Sequence, residues 1–133
     1  MKYLIDTCVV LDTLEDRKPF SEDSNRIFKM VISGQIEGYL TACSIKDIYY
    51  VYRKYSHSNE ESKKYINGLL NLFNIVDVNG ADLGNALASD MNDYEDAVLA
   101  QSCLRHGIDC IITRNMKDYT NSPIKAVLPS EIK

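Results

Sequence analysis

The apolar residues of this chain fall in short runs whose spacing alternates between strand-like and helical, and that alternation predicts the architecture. Tyr3-Leu4-Ile5 reads as a first strand that stops at Asp6, and residues 7–15 as a short helix carrying Val9, Val10 and Leu14. Beyond Pro19, residues 21–33 place Ile27, Phe28, Val31 and Ile32 on one helix face. Gly34 and Gly38 frame a turn before a second strand over 39–42. Two helices follow, over 45–55 with Ile45, Ile48, Tyr49 and Tyr52 on one side, and over 59–73 with Tyr65, Ile66, Leu69, Leu70 and Phe73. The pattern then predicts a strand over 75–78, helices over 81–90 and 93–106, a strand over 110–113 and a short fifth strand over 125–127.

Strands separated by helices of this length cannot pair as hairpins, and the right-handed crossover rule makes their sheet parallel with helices on both faces. The expected fold is therefore α/β, a three-layer α/β/α sandwich around a parallel sheet of four to five strands. No repeat, low-complexity tract or Pro/Gly-rich linker divides the 133 residues, so one domain over 1–133 is expected. A chain of this size buries roughly two thirds of its unfolded surface and needs no disulfide or structural metal. Such sheets bind ligands outside the carboxyl ends of their strands, at the switch point of strand order. Asp6, Asp47 and the loop 113–118 belong to that edge.

Charge narrows the function classes. The net charge is −4 and the pI about 5.1, so the whole-molecule field does not draw in a phosphate backbone as a dedicated nucleic-acid-binding domain's would. A nucleic-acid partner must be held locally. Basic residues pair at Arg17-Lys18, Arg53-Lys54, Lys63-Lys64 and Arg114 with Lys117, and only the last lies beside the suspected edge. No apolar run approaches the ~18 residues of a membrane helix, and Asp6 interrupts the opening residues too early for a signal peptide. A soluble, cytoplasmic protein is expected, with no membrane partner. The cysteines at 8, 43, 103 and 110 show no metal-ligand spacing and read as reduced, buried thiols. Cys8 sits at a helix start, where a thiolate is favoured, yet no base accompanies it.

Acidic side chains gather where strands end. Asp6 follows three apolar strand residues and also fits an N-cap of the first helix. Asp93 and Asp96 are neighbours on one helix face; Asn92 or Asp93 fits a cap, with Glu95 reaching back to Asn92. Asp96 precedes Ala97-Val98-Leu99-Ala100 and so opens the buried side of that helix, a costly place for an unpaired charge. Asp47 follows Ser44 at capping-box spacing, and capping and ligation explain it equally well. Asn115 and Asp118 occupy a loop whose turn chemistry favours both residues. Carboxylates drawn together repel, and a hard divalent cation, Mg2+ or Mn2+, is the commonest reason for such a gathering. Such an ion activates a bound water and neutralises charge on phosphoryl oxygens, which would let an acidic chain act on an anionic polymer.

With these residues in place the chain resembles the PIN-domain family, small metal-dependent ribonucleases that include the VapC-type toxins of toxin–antitoxin pairs. The resemblance spans nearly the whole chain and rests on YLIDTCVVLD, SIKDIYYVYRK, DYEDAVLAQSCLRHGIDCIITRN and MKDY. It implies a metal-dependent endoribonuclease with catalytic acids at Asp6, Asp47, Asp96 and Asp118, and metal ligation by Asp6, Asp96 and Asp118. It also implies Thr113, a hydroxyl beside the metal, among the substrate-binding residues. Arg114, Asn115, Lys117 and Tyr50 are the other candidates for substrate contact, Tyr50 through base stacking. RNA as substrate, an antitoxin protein as partner and a homodimer are further implications. Two positions depart from the pattern: the second acid is commonly Glu where this chain has Asp47, and Asn115 is neutral where an acid is common.

Other readings fit less well. A haloacid dehalogenase-type phosphatase needs D-x-D after the first strand, and Cys8 stands at the third position. A receiver-like domain needs an acidic doublet at strand 1 and an acceptor after strand 3, where Asn79-Gly80 follows Val78. The remaining rival is a non-catalytic PIN-like module that binds RNA or protein through a degenerate metal site.

Overall fold

The computed structural model describes residues 1–133. Five strands, β1 (Lys2–Ile5), β2 (Glu37–Thr41), β3 (Asn74–Val76), β4 (Cys110–Ile112) and β5 (Lys125–Val127), form one sheet. Its order is β3-β2-β1-β4-β5 and every pairing is parallel. Six helices fill the crossovers: α1 (Thr7–Leu14), α2 (Phe20–Ile32), α3 (Ala42–Ser56), α4 (Asn59–Leu72), α5 (Gly80–Ala88) and α6 (Tyr94–Arg105). Short 3-10 turns occupy Met116–Tyr119 and Pro129–Glu131.

Alternation along the strands sorts the core into two layers, because successive strand side chains point to opposite faces. Leu4 and Ile111 turn one way, into a layer with Ala86 of α5 and Ala97, Ala100 and Cys103 of α6. Ile5, Leu40 and Ile112 turn the other way, against Val9, Val10, Ile27, Ile48 and Leu69 of α1 to α4. The three-layer α/β/α sandwich is thus the observed fold. From β1 the chain moves outward through β2 to β3, then returns across the opposite face to β4. The switch of direction falls between β1 and β4.

Element boundaries differ from the expected ones in instructive places. The third strand is Asn74–Val76 rather than 75–78, because Asn79 and Asp82 form a reciprocal capping box that starts α5. The second strand ends at Thr41, whose side chain accepts from the Ser44 backbone N–H and caps α3 at Ala42, three residues earlier than expected. Ile32 and Leu70, expected on apolar stripes, are exposed. The buried face of α2 instead runs Ser21, Ser24, Ile27, Met30 and Val31. At the end of α6, Arg105 forks Asp82 at 3.1 and 2.9 Å and donates to the Asp77 carbonyl at 2.8 Å. His106, expected on the surface, is half-buried and bonds Asp77.

Gly38 marks a close approach in β2. A Cβ there would lie 2.8 Å from Phe73 Cδ1 and 2.8 Å from Val31 Cγ2, and both side chains are buried. Gly38→Ala is expected to destabilise the fold by about 1–3 kcal/mol, as overpacking does. Urea unfolding measures this; an unchanged midpoint would show that Phe73 and Val31 yield freely.

Candidate metal centre and active-site cleft

Asp6 and Thr113 follow directly on β1 and β4, the two strands that flank the switch point. Pairing of those strands continues one step further, as the Asp6 backbone N–H donates to the Ile112 carbonyl at 3.0 Å. Thr113 Oγ1 donates to Asp6 Oδ2 at 2.8 Å, and the Thr7 backbone N–H donates to Asp6 Oδ1 at 2.8 Å. Asp6 is therefore the N-cap of α1 and also presents a carboxylate to the sheet edge. From the 3-10 turn after β4, the Tyr119 hydroxyl reaches both acids. It lies 3.3 Å from Asp6 Oδ2 and 3.2 Å from Asp96 Oδ1. Two carboxylates ninety positions apart in sequence meet at one oxygen.

Their electrostatics follow from that crowding. Asp6 is buried, and desolvation raises its pKa against the opposing hydrogen bonds from Thr113, Thr7, Tyr119 and Cys8. Asp96 is half-buried at the first turn of α6, capped by Asp93, whose side chain accepts from the Asp96 backbone N–H at 2.9 Å. Burial first, then the charges of Asp6, Asp93 and Asp118, push its pKa up to about 7. Burial and both carboxylates raise the Tyr119 phenol far above its ordinary range, so it remains a donor. The Cys8 thiol is raised too, by burial and by Asp6. That environment opposes the thiolate a nucleophilic cysteine needs.

A cleft of about 410 Å³ opens onto this pair, lined by Asp6, Thr7, Cys43, Asp47, Glu95 and Asp96 among others. Asp47 stands exposed on the second turn of α3. The capping-box reading of Ser44 and Asp47 does not hold, since Thr41 is the cap and Ser44 lies within the helix. Asp118 is outside the cleft lining, although its charge contributes to raising Asp96. No three His, Cys, Asp or Glu side chains come close enough to cage an ion between them. Two carboxylates flanked by hydroxyls nevertheless suit Mg2+ or Mn2+, hard ions that take few protein carboxylates and keep several waters. The donor set fits such a cation with Asp6 and Asp96 as its holders.

The other predicted residues divide. Thr113 is fully buried on Asp6. Asn115 is exposed and donates its backbone N–H to Thr113 Oγ1 at 3.0 Å. Lys117 is exposed on the 3-10 turn. Tyr50 is 61% exposed on α3, with the Lys54 ammonium 4.7 Å from its ring centre. Arg114 is turned away from the carboxylate pair: its guanidinium forks Asp12, with one bond at 3.0 Å, and lies 4.0 Å from the Phe20 ring centre. Cys43, expected to be buried, is exposed at the cleft.

Tyr119, Asp12 and Glu95 are absent from the predicted set. Asp12 had a signal: it falls three residues after Val9 on the buried side of α1, where a charge demands a partner. Glu95 was read as reaching back to a cap at Asn92, but Asp93 is the cap and Glu95 lines the cleft. Nothing in the local sequence separates the Tyr119 ring, which joins the core, from its hydroxyl, which joins the acids.

The model of the PIN domain family matches residues 2–117. Among solved structures, a toxin–antitoxin complex from Klebsiella pneumoniae aligns over 98% of this chain and 99% of its own, with a TM-score of 0.69 at 20% identity. DNA-bound VapBC from Salmonella typhimurium aligns over 97% and 98%, with a TM-score of 0.71 at 18% identity. FitAcB from Neisseria gonorrhoeae aligns over 98% and 99%, with a TM-score of 0.70 at 15% identity. At these identities the likeness speaks to the fold. A search of curated proteins gives no match. A family match over nearly the whole sequence, with the parallel sheet and its acidic switch point, places this chain in the PIN-domain family.

Proposed function

We propose that this chain is a metal-dependent endoribonuclease, the toxin of a toxin–antitoxin pair, working as one domain in the cytoplasm. The observation that carries the reading is that Asp6 and Asp96, which both line one cleft, converge on the hydroxyl of Tyr119. Membership of the PIN-domain family and likeness to toxin–antitoxin complexes support it. An antitoxin protein is the proposed partner, and a homodimer the proposed assembly. No helix is long and apolar enough to cross a membrane.

Asp6 and Asp96 would hold Mg2+ or Mn2+, with Asp47 and Asp118 completing the shell through waters. When bound, the cation would acidify a water and offset charge on the phosphodiester. Thr113 and the Thr7 N–H fix the orientation of Asp6 before any substrate arrives, which is the preorganisation such chemistry needs. Lys117 would contact phosphate, Asn115 would hydrogen-bond the backbone, and Tyr50 would stack on a base beside Lys54. Arg114 holds the loop through Asp12 and Phe20 and contributes to substrate binding by anchoring it.

The rival reading, a non-catalytic binding module, has one observation in its favour: only two carboxylates converge, and Asn115 adds no third charge. Cleavage separates the two. Single-stranded RNA should be cut only with Mg2+ or Mn2+, and Asp6→Asn should lower the rate by roughly a thousandfold or more, given the several kcal/mol a catalytic ion supplies. RNA binding without cleavage at any metal concentration would establish the binding module instead.

Proton and cation compete for Asp96, because a ligating carboxylate must be ionised. Its raised pKa, about 7, means that Mn2+ binding should weaken as pH falls from 8 to 6, by up to about tenfold per unit below the pKa. Calorimetric titration across that range tests this; Asp96→Asn should bind weakly and flatten the profile. A flat profile in the unsubstituted protein would remove Asp96 from the ligand set. The same shift predicts that the contribution of Asp96 to folded stability in chelator is fully present below the ordinary carboxylate range and is lost as pH rises through 7.

A further inference from the structure

We propose that the Tyr119 hydroxyl is a built-in stand-in for the cation, bridging Asp6 and Asp96 until a metal ion displaces the bridge, so that Tyr119 sets the metal affinity of the centre. This rests on the nuclease reading, since it requires that the two carboxylates take a cation.

The geometry points to competition. A phenol has one proton to donate, yet Tyr119 Oη lies within hydrogen-bonding distance of two carboxylates, at 3.3 Å and 3.2 Å. At Asp6 the crowding falls on one oxygen, Oδ2. Its Oδ2 already accepts from Thr113 at 2.8 Å besides facing Tyr119, and its Oδ1 accepts from Thr7 at 2.8 Å. A carboxylate oxygen offers two lone pairs, so both directions at Oδ2 are engaged. Because the same hydroxyl touches Asp96 Oδ1, it occupies space between the two acids that a cation shared by them would need.

Tyr119 cannot simply swing out. The ring is 5% exposed and packs in the layer between the sheet and α5 and α6, while its backbone is fixed in the 3-10 turn Met116–Tyr119. The hydroxyl can turn about its own C–O bond and keep one partner, but it cannot keep both acids and admit the ion between them. The bridge compensates two crowded carboxylates; a divalent cation compensates them better. Removing the hydroxyl therefore raises the free energy of the protein without the ion more than with it. Tyr119 is a positioning residue whose loss tightens metal binding.

The test compares Tyr119→Phe with the unsubstituted chain by Mn2+ titration, read both by calorimetry and by the paramagnetic resonance of free Mn2+, and by thermal unfolding in chelator and in saturating Mn2+. Tyr119→Phe, titrated above the pH range in which Asp96 takes up a proton, is expected to bind Mn2+ roughly tenfold more tightly, the scale of a lost hydrogen bond to a charged group. It should melt at lower temperature in chelator and gain more from Mn2+. Tyr65→Phe, a phenol on α4 away from the cleft, should leave affinity unchanged. Equal or weaker binding by Tyr119→Phe, with the unsubstituted chain binding normally, overturns this inference alone. No saturable Mn2+ binding by either protein overturns it together with the nuclease reading.

Discussion

The Asp6 carboxylate is drawn out of water between β1 and β4, and hydrogen bonds from Thr113, Thr7 and Tyr119 replace the hydration it loses. Burying a charge is expensive unless it is paired or coordinates a metal, and its neighbour across the cleft is a second acid. The Asp6–Asp96 pair can settle its repulsion in two ways, by retaining a proton or by sharing a cation. The raised pKa of Asp96 is the protonic solution. Only the cationic one yields a centre able to act on phosphate, and protein hydroxyls rather than opposing charges surround the pair, leaving the positive charge to be supplied from outside.

The scaffold keeps its own cations away from that centre. Arg114 follows Thr113 directly, yet its guanidinium is spent on the fully buried Asp12 and the Phe20 ring, with Arg17 3.8 Å from the same carboxylate. Arg105 is likewise committed to Asp82 and Asp77. Had either arginine reached Asp6 or Asp96, it would have lowered the carboxylate pKa and filled the place of a metal. Pairing these arginines elsewhere fixes the loop after β4 and the α5–α6 layer and leaves the cleft acidic. With a net charge of −4, attraction for an anionic polymer would then be concentrated where a cation binds.

Much of this was legible in the sequence, and the reasons differ from residue to residue. The strand and helix order could be read because each apolar run is short and its period changes at a capping or turn residue. Asp6 and Asp96 stood out because each adjoins buried apolar residues at the edge where strands end, although Asp6 also caps α1. Asp47 was ambiguous from spacing alone: Ser44 at capping-box distance offered it a structural role, and only the start of α3 at Thr41 removed that role. The pairing of Arg114 was illegible for a similar reason, since its partner Asp12 lies 102 positions away and only the packed fold brings the two together. Tyr119 escaped notice because its ring and its hydroxyl serve different surroundings, a division that appears only once β4, α6 and the 3-10 turn are packed together.

Anomalous diffraction from crystals soaked in Mn2+ would test the central claim most directly. The account predicts a peak about 2.1 Å from a carboxylate oxygen of Asp6 and of Asp96. An ion that settles elsewhere and touches neither side chain would contradict it.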